Sequence, residues 1–442
     1  MKIIHCISGS EKHIQTQQTL KKLQQIKHQN LVQIYEFFDE EGSFYIFMEK
    51  CDQDVDEMIQ KLKINLENQE SLTKFIENFI IQIVNGYCRL MEDNIIHRDL
   101  KPQNILYNIV DENQYVFKIC DDGFSKIIDL NQDYGMTSVE HLNYYQAPEL
   151  KEDEYTYKLD IYSFGLILAE MIIGRKFTEV EKLQLQDSVI QLTNNSPKDI
   201  IYLINQMLAL EQKARLSWTQ LKLKYFYPQY NSQNENLQKI QDINGKNICI
   251  KPICKRQHNA YQNELNEIKI NLKIKNNQKQ NDNIIKIIEV LNEKDYDYSY
   301  IIMEECEGDL NQLRAKIGLF NYQDVLNLLE QINNGYQFLI ENQIVHRDLK
   351  PQNILYQRNN SKYCYKIIDF QYSFELKNQN FSASSKTGTR MYQAPEIDGI
   401  QEYDYKCDIY SEQSYQNWQQ IQNFLNNQWK KSKKKNVVYF KQ

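Results

Sequence analysis

The string HRDLKPQN at His97 to Asn104 sets an acid, a lysine and a side-chain amide at close spacing. Transfer of a phosphoryl group to a hydroxyl needs such parts. A carboxylate orients the hydroxyl and takes its proton, a cation neutralises the moving phosphoryl, and a neutral oxygen helps to hold Mg²⁺. Asp99, Lys101 and Asn104 are the candidates for these tasks, and the same string returns unchanged with Asp348, Lys350 and Asn353. Downstream of each, after a short apolar run, stands a second acid: Asp121 in KICDDG and Asp369 in KIIDFQ. These are the candidates for the main Mg²⁺ ligand.

The elements that must position these residues are also repeated. HRDLKPQNILY occurs at His97 to Tyr107 and at His346 to Tyr356, QAPE begins at Gln146 and Gln393, DIYS at Asp160 and Asp408, and MExC strings at Met48 and Met303. Repetition of ordered motifs at a near-constant interval implies two homologous domains in tandem. The interval is long enough for one whole domain, so the second copy, which must finish by Gln442, is expected to be incomplete. In both copies an early helix (about 11–27 and 259–275) precedes two short apolar strands. A long helix follows at about 71–92 and 322–342, with Phe75, Phe79, Ile83 and Leu90 at helical spacing. The HRD string then falls in a loop, followed by short β-branched runs that predict small hairpins. From Leu159 to Tyr225 the pattern is helical. Segments 229–236 and 271–283, rich in Asn and Gln, predict loop or linker.

Composition narrows the classes. Lys and Arg number 52 against 59 Asp and Glu, a net charge of -7, which disfavours a surface built mainly for nucleic acid or anionic membrane. No apolar run approaches the length of a membrane span, and the opening MKIIHCISGS is too weakly apolar for a secretory signal. Nine cysteines without CxxC pairing fit a reducing compartment, and Cys249 and Cys254 are expected to be buried thiols before a metal site. The expectation is an intracellular protein, cytoplasmic with the nucleus as alternative. The basic run Lys430 to Lys435 predicts a solvated tail.

The ordered HRDxKxxN loop, DFG-like triplet and APE, occurring twice, resemble the eukaryotic protein kinase superfamily, and DLKPQN resembles its serine/threonine class. The resemblance implies tandem bilobal α+β domains: residues 1–228, beginning near strand 3 and lacking most of the upper lobe; residues 229–411, lacking most of the lower lobe; and a divergent basic tail at 412–442. It implies ATP and Mg²⁺ as cofactors and protein Ser/Thr hydroxyls as acceptors, with no nucleic-acid partner. Met48 and Met303 resemble gatekeepers, Glu49 to Cys51 and Glu304 to Cys306 the hinge that holds adenine, and Asp54 and Asp309 the acids that face ribose. Lys251 in ICIK resembles the ATP lysine, with Glu267 its helix partner. Arg98 and Arg347 resemble arginines that receive an activation-loop phosphate, for which Ser384, Ser385 and Thr387 are candidates. Glu149 and Arg215 are expected to pair, and Asp160 and Asp408 to bond the catalytic-loop backbone. His97 and His346 are expected to be packed, since the family assigns acid–base work to the Asp.

The departures are equally specific. Upstream of Lys251 the family places three glycines that let backbone approach a triphosphate, yet no Gly occurs between Gly174 and Gly245. In the first copy Lys2, more ordinarily a terminal lysine, is the candidate for the ATP lysine, Thr19 stands where the glutamate is expected, and His141-Leu142 replaces the Gly388-Thr389 of the second. The triplets read Asp121-Asp122-Gly123 and Asp369-Phe370-Gln371. Beyond Ser411 the second copy diverges, and Trp418, Ile421, Leu425 and Trp429 predict an amphipathic stripe. These departures leave a pseudokinase, a binding or allosteric module, as the competing class, and a fragment of a longer multi-kinase protein as a third reading.

Overall fold

The computed structural model describes residues 1–59, 69–111, 114–120, 126–127, 144–151, 156–178, 181, 198–232, 234, 236–254, 261–277, 279–293, 298–318, 320–359, 362–376, 389, 394, 407–408 and 411. Their contacts cluster into one unit of Met1–Gln233 with Ile240–Lys246 and Leu291–Tyr298, and a second of Asn234–Lys239, Asn247–Val290 and Ser299–Gln442.

The first unit opens with a three-stranded sheet, β1 (Lys2–His5), β2 (Ile34–Glu40) and β3 (Ser43–Met48), in the order β1-β3-β2. Both pairings are antiparallel, Lys2 opposite Ile46 and Phe37 opposite Ile46 on the other side. Alternation along β3 turns Phe44 and Ile46 inward. Helix α1 (Glu11–Gln25) is capped by Ser10, whose hydroxyl accepts the His13 amide at 3.1 Å, and buries Leu20 and Leu23. Phe44 and Ile46 of this sheet and Leu20 and Leu23 of this helix belong to the buried core of the unit.

After β4 (Gln53–Asp54), helix α2 (Gln69–Glu92) presents Ile76, Phe79, Ile80, Ile83, Val84 and Tyr87 along one buried stripe. It leads to β5 (Ile95–Ile96) and to the hairpin β6 (Ile105–Asp111) and β7 (Gln114–Ile119), in register from Ile105 opposite Ile119. The strand β8 (Lys126–Ile127) pairs with β5. Helix α3 (Lys158–Ile173) is mostly apolar and is buried from Lys158 to Met171, as a helix at the centre of a core is. Gly174 ends it in the left-handed conformation, its amide bonded to the Glu170 carbonyl. Helices α4 (Lys198–Met207) and α5 (Trp218–Phe226) follow among the described residues, and Trp218 stacks on Tyr87 at 3.8 Å.

The second unit repeats the plan. Strands β9 (Gln238–Gln241), β10 (Asn247–Cys254), β11 (Ile287–Leu291) and β12 (Tyr298–Glu304) form one sheet in the order β11-β12-β10-β9. Helix α6 (Tyr261–Lys275) overrides the loop expected from 271 on, because Ile270 and Ile274 pack into the core at helical spacing. Short β13 (Gly308–Asp309) leads into α7 (Leu310–Ile317), and α8 (Tyr322–Glu341) is the long helix, capped by an Asn321–Asp324 capping box. Strand β14 (Ile344–Val345), the hairpin β15 (Ile354–Asn359) and β16 (Lys362–Ile367), and β17 (Phe374–Glu375) follow. The tail stripe Trp418 to Trp429, the Lys430 to Lys435 run and the candidate phosphosites Ser384, Ser385 and Thr387 lie outside the described residues.

A polar clasp recurs in both units. The Asn30 amide donates to Gln82 Oε1 and the Phe117 carbonyl, both at 3.0 Å, and Asn85 donates to Asn30 Oδ1 at 3.2 Å. In the second unit Asn283 donates to Gln331 Oε1 and the Tyr365 carbonyl, both at 2.9 Å, and Asn334 donates to Asn283 at 2.8 Å. Each clasp ties the turn after the early helix to the long helix and to the strand that ends just before the second acid. Satisfying these buried amides in full makes the join rigid.

Candidate active site

In the second unit the HRD loop is built around Asp348. One carboxylate oxygen accepts Lys350 Nζ at 2.6 Å and Asn353 Nδ2 at 3.0 Å, and the same amide nitrogen bonds the Asp348 carbonyl at 2.8 Å. The other oxygen accepts the Thr389 amide at 2.9 Å and hydroxyl at 2.7 Å, and Lys350 also donates to that hydroxyl at 2.8 Å. Asp348 is buried, so charge-assisted bonds replace the water it has lost. Beneath the loop, buried Asp408 accepts the amides of His346 at 2.7 Å and Arg347 at 2.6 Å, with the Tyr336 hydroxyl at 2.9 Å. Burial raises the Asp408 carboxyl, opposed first by His346. Arg347 sits at φ 66 and Asp369 at φ 68, a region that side chains other than glycine rarely adopt, and the anchored neighbours hold them there.

Lys251 on β10 reaches two acids at once, Glu267 of α6 at 2.6 Å and Asp369 at 2.8 Å. Burial by itself would raise the Asp369 carboxyl, yet the Lys251 ammonium outweighs it and holds the group below the usual carboxylate value. Burial likewise pulls Lys251 down, and Glu267 and Asp369 more than restore it.

The first unit repeats the loop. Lys101 Nζ bonds Asp99 at 2.7 Å, and Asn104 Nδ2 bonds the Asp99 carboxylate at 2.9 Å and carbonyl at 2.8 Å. Buried Asp160 accepts the amides of His97 at 2.9 Å and Arg98 at 3.0 Å, and the Tyr87 hydroxyl. Arg98 stands at φ 67. Asp121 lies outside the described residues. Thr19 is buried and its hydroxyl bonds back to the Gln15 carbonyl at 2.9 Å, so α1 offers no carboxylate at that position. Lys2 is on β1 opposite Ile46.

Both loop histidines are packed as expected: the His97 ring meets the Cys120 carbonyl at 2.8 Å and the His346 ring the Ile368 carbonyl at 2.9 Å. Arg215 and Glu149 form a buried pair, with Nη2 to Oε2 at 3.1 Å, and Arg215 also bonds the carbonyls of Lys158 and Ala209. The guanidinium of Arg347 lies 4.7 Å over the Phe374 ring and donates to the Tyr372 carbonyl.

The expected hinge residues line up in both units. Met48 is within 3.8 Å of the Cys120 thiol, and Met303 is buried. Glu49 is paired with Lys118 at 3.1 Å and Glu304 with Lys366 at 2.9 Å. Sequence reasoning missed these ion pairs and the amide clasps, although Lys118 and Lys366 each stand three residues before the second acid, a repeat open to inspection. Burial, then Glu49, pushes the Cys51 thiol up to about 11, and burial, then Glu304, pushes Cys306 up to about 12. Asp54 accepts the Glu57 amide at 3.1 Å and Asp309 caps α7 through the Gln312 amide at 2.9 Å. Asp309 thus serves as a helix cap.

Among the described residues no group of three or more His, Cys, Asp or Glu side chains gathers as a metal site. Mg²⁺ needs none, since it is commonly held by one or two protein oxygens together with substrate phosphates and water. The donor set fits: Asp369 is kept ionised, and Asn353, with its nitrogen turned to Asp348, presents its carbonyl oxygen elsewhere. No described helix is long and apolar enough to cross a membrane.

A buried HRD acid with its lysine and amide, met twice in one chain, has the parts that phosphoryl transfer to a hydroxyl needs. The protein kinase domain family matches residues 1–227 and again 236–413, so the chain belongs to the eukaryotic protein kinase superfamily. It is 32% identical over 213 residues to serine/threonine-protein kinase atg1 of Dictyostelium discoideum, covering 45% of this chain and 30% of that one. It is 30% identical over 242 residues to mitogen-activated protein kinase HOG1A of Wallemia ichthyophaga, covering 52% and 61%. With HOG1 of Saccharomyces cerevisiae it shares 36% over 190 residues, 42% of this chain and 40% of the relative. The matched stretches thus span less than two thirds of these relatives' own lengths.

Proposed function

We propose that the chain is an ATP- and Mg²⁺-dependent serine/threonine protein kinase organised as domains 1–228 and 229–411 with a tail at 412–442, and that the second domain carries most of the transfer. The observation that carries this reading is the double engagement of Lys251 by Glu267 and Asp369 beside an intact Asp348, Lys350, Asn353 and Thr389 cluster. In it, Lys251 orients the nucleotide phosphates, held in place by Glu267. Asp348 orients the protein Ser or Thr hydroxyl and takes its proton as the hydroxyl oxygen bonds to the γ-phosphorus and the bond from that phosphorus to the bridging oxygen breaks, releasing ADP, while Lys350 faces the moving phosphoryl. Asp369 and Asn353 would hold Mg²⁺, and Asp121 with Asn104 its counterpart in the first domain. The bound ion neutralises charge on the phosphates. With the Glu49 and Glu304 carboxylates committed to Lys118 and Lys366, these residues and Cys51 and Cys306 offer adenine their backbone groups, beside Met48 and Met303. Asp54 and Asp309 face the ribose.

Missing glycines favour slow turnover, since loose phosphate positioning alone costs on the order of 10²-fold. The test is transfer of labelled phosphate from ATP to the chain itself and to a Ser/Thr peptide pool. Asp348→Asn is expected to lower the rate by about 10²-fold or more, as removal of a general base does. ATP binding without any transfer by the wild-type chain would instead establish the pseudokinase reading, which the absent glycines also favour.

A further inference from the structure

We propose that Lys239 is a bolt across the purine slot of the second domain: its ammonium holds the hinge, and an entering purine must displace it. The proposal rests on the reading of that cleft as a nucleotide site. Lys239 lies on β9, and its Nζ bonds the Cys306 carbonyl at 3.0 Å and the Glu305 carboxylate at 3.1 Å. Strand β9 borders β10, which carries Cys249 and the ATP-lysine candidate Lys251. The Cys249 thiol, raised mainly by burial, feels the Lys239 charge as an opposing influence. One ammonium is therefore near the strand that would roof a purine and in contact with the segment that would bind its edge.

Three physical features make this a gate rather than a fixed strut. The Lys239 and Glu305 side chains are 50% and 27% exposed, so their ion pair is weak and readily exchanged with water. The contacted carbonyl belongs to Cys306, which is itself buried, so the half-exposed lysine reaches from the surface to the segment that would bind the purine edge. A lysine stem is long and flexible, and swings clear without moving the backbone. When a binding-competent state is only part of the population, apparent affinity falls by that fraction, and removing the closed state restores it.

The full chain is titrated with MgATP by calorimetry as wild type, Lys239→Met, Lys239→Arg and Lys251→Met. Lys239→Met keeps the stem and removes the donor. It is expected to tighten ATP by about three- to tenfold, the size of effect that one hydrogen bond has on an equilibrium constant, while Lys239→Arg stays near wild type. Independently of nucleotide, acetic anhydride should modify Lys239 several-fold more slowly than the exposed Lys246, read by mass spectrometry. Unchanged or weaker ATP binding by Lys239→Met, with Lys251→Met weakened as expected, would overturn the bolt and leave the nucleotide site standing. Binding seen only in Lys239→Met would support both. No binding by either protein would overturn the nucleotide reading and the bolt's action on purine with it. Equal acylation of Lys239 and Lys246 would remove the bond to the hinge whatever ATP does.

Discussion

The Lys251, Glu267 and Asp369 cluster is where single residues set the behaviour of the second domain. Asp369 has a depressed folded pKa because the Lys251 ammonium overcomes the cost of burial. A depressed carboxyl contributes stability that is fully present above its unfolded value, about 3.9, and lost as pH falls through the folded value. Lys251→Met reverses the sign. Burial then dominates, the Asp369 pKa rises above its unfolded value, and the variant loses stability as pH increases through that raised value. Urea unfolding at a series of pH values from about 4 to 8 should show the variant's deficit growing with pH. A deficit that does not change with pH would mean that Asp369 finds another cation when Lys251 is gone. Lys251→Met should also weaken ATP, whereas Lys2→Met in the first domain should not.

At the scale of elements, the repeated clasps decide how closely the long helices approach the turns that hold Asn30 and Asn283. Gly86 on α2 and Gly335 on α8 make that approach possible. A Cβ built on either would lie 2.6 Å from a backbone oxygen, that of Asn30 or Asn283. Backbone cannot rotate away as a flexible side chain can, so Gly86→Ala and Gly335→Ala should each cost about 1–3 kcal/mol, despite the better helix propensity of Ala. Gly318→Ala is the control: its φ of 80 strains a side chain but the space around it is open, so about 1–2 kcal/mol is expected from backbone alone. Chemical denaturation of the full chain reads all three. A stabilised Gly335→Ala would show that the turn shifts freely and that the clasp does not fix it.

For the whole molecule the duplicated site makes a distinct prediction. Two sites working separately contribute rates that add, so Asp99→Asn should remove a small share of transfer, Asp348→Asn the larger share, and the double variant all that depends on either base. A double variant that retains the Asp348→Asn rate would show that Asp99 takes no part in transfer. If instead Asp99→Asn alone abolished transfer, the first domain would be the working one, with a lysine and carboxylate other than those expected. The formal charge of -7 further predicts no salt-dependent binding to a polyanion such as heparin, measured by retention on a heparin column.

Much of this architecture was legible from one dimension because the decisive motifs are local. HRDLKPQN places its acid, lysine and amide on one short loop, and Asp99 meets Lys101 and Asn104, as Asp348 meets Lys350 and Asn353, within a few bonds of chain. Helical periodicity announced α2 and α8 for the same reason, since a stripe such as Ile76, Phe79, Ile80 and Ile83 is set by the pitch of a single helix. The extent of the first sheet was not legible: β1 is four residues long, too short for periodicity to carry, and exists because β3 pairs with it. Long-range partners were beyond sequence unless the family supplied them, as it did for Lys251 with Glu267. Thr389 on Asp348, Lys366 on Glu304, Asn283 on Gln331 and Lys239 on Cys306 join residues whose proximity no local rule encodes. Chain closure over those separations is decided by the packing of whole elements, and only the tertiary structure brings the groups within hydrogen-bond reach.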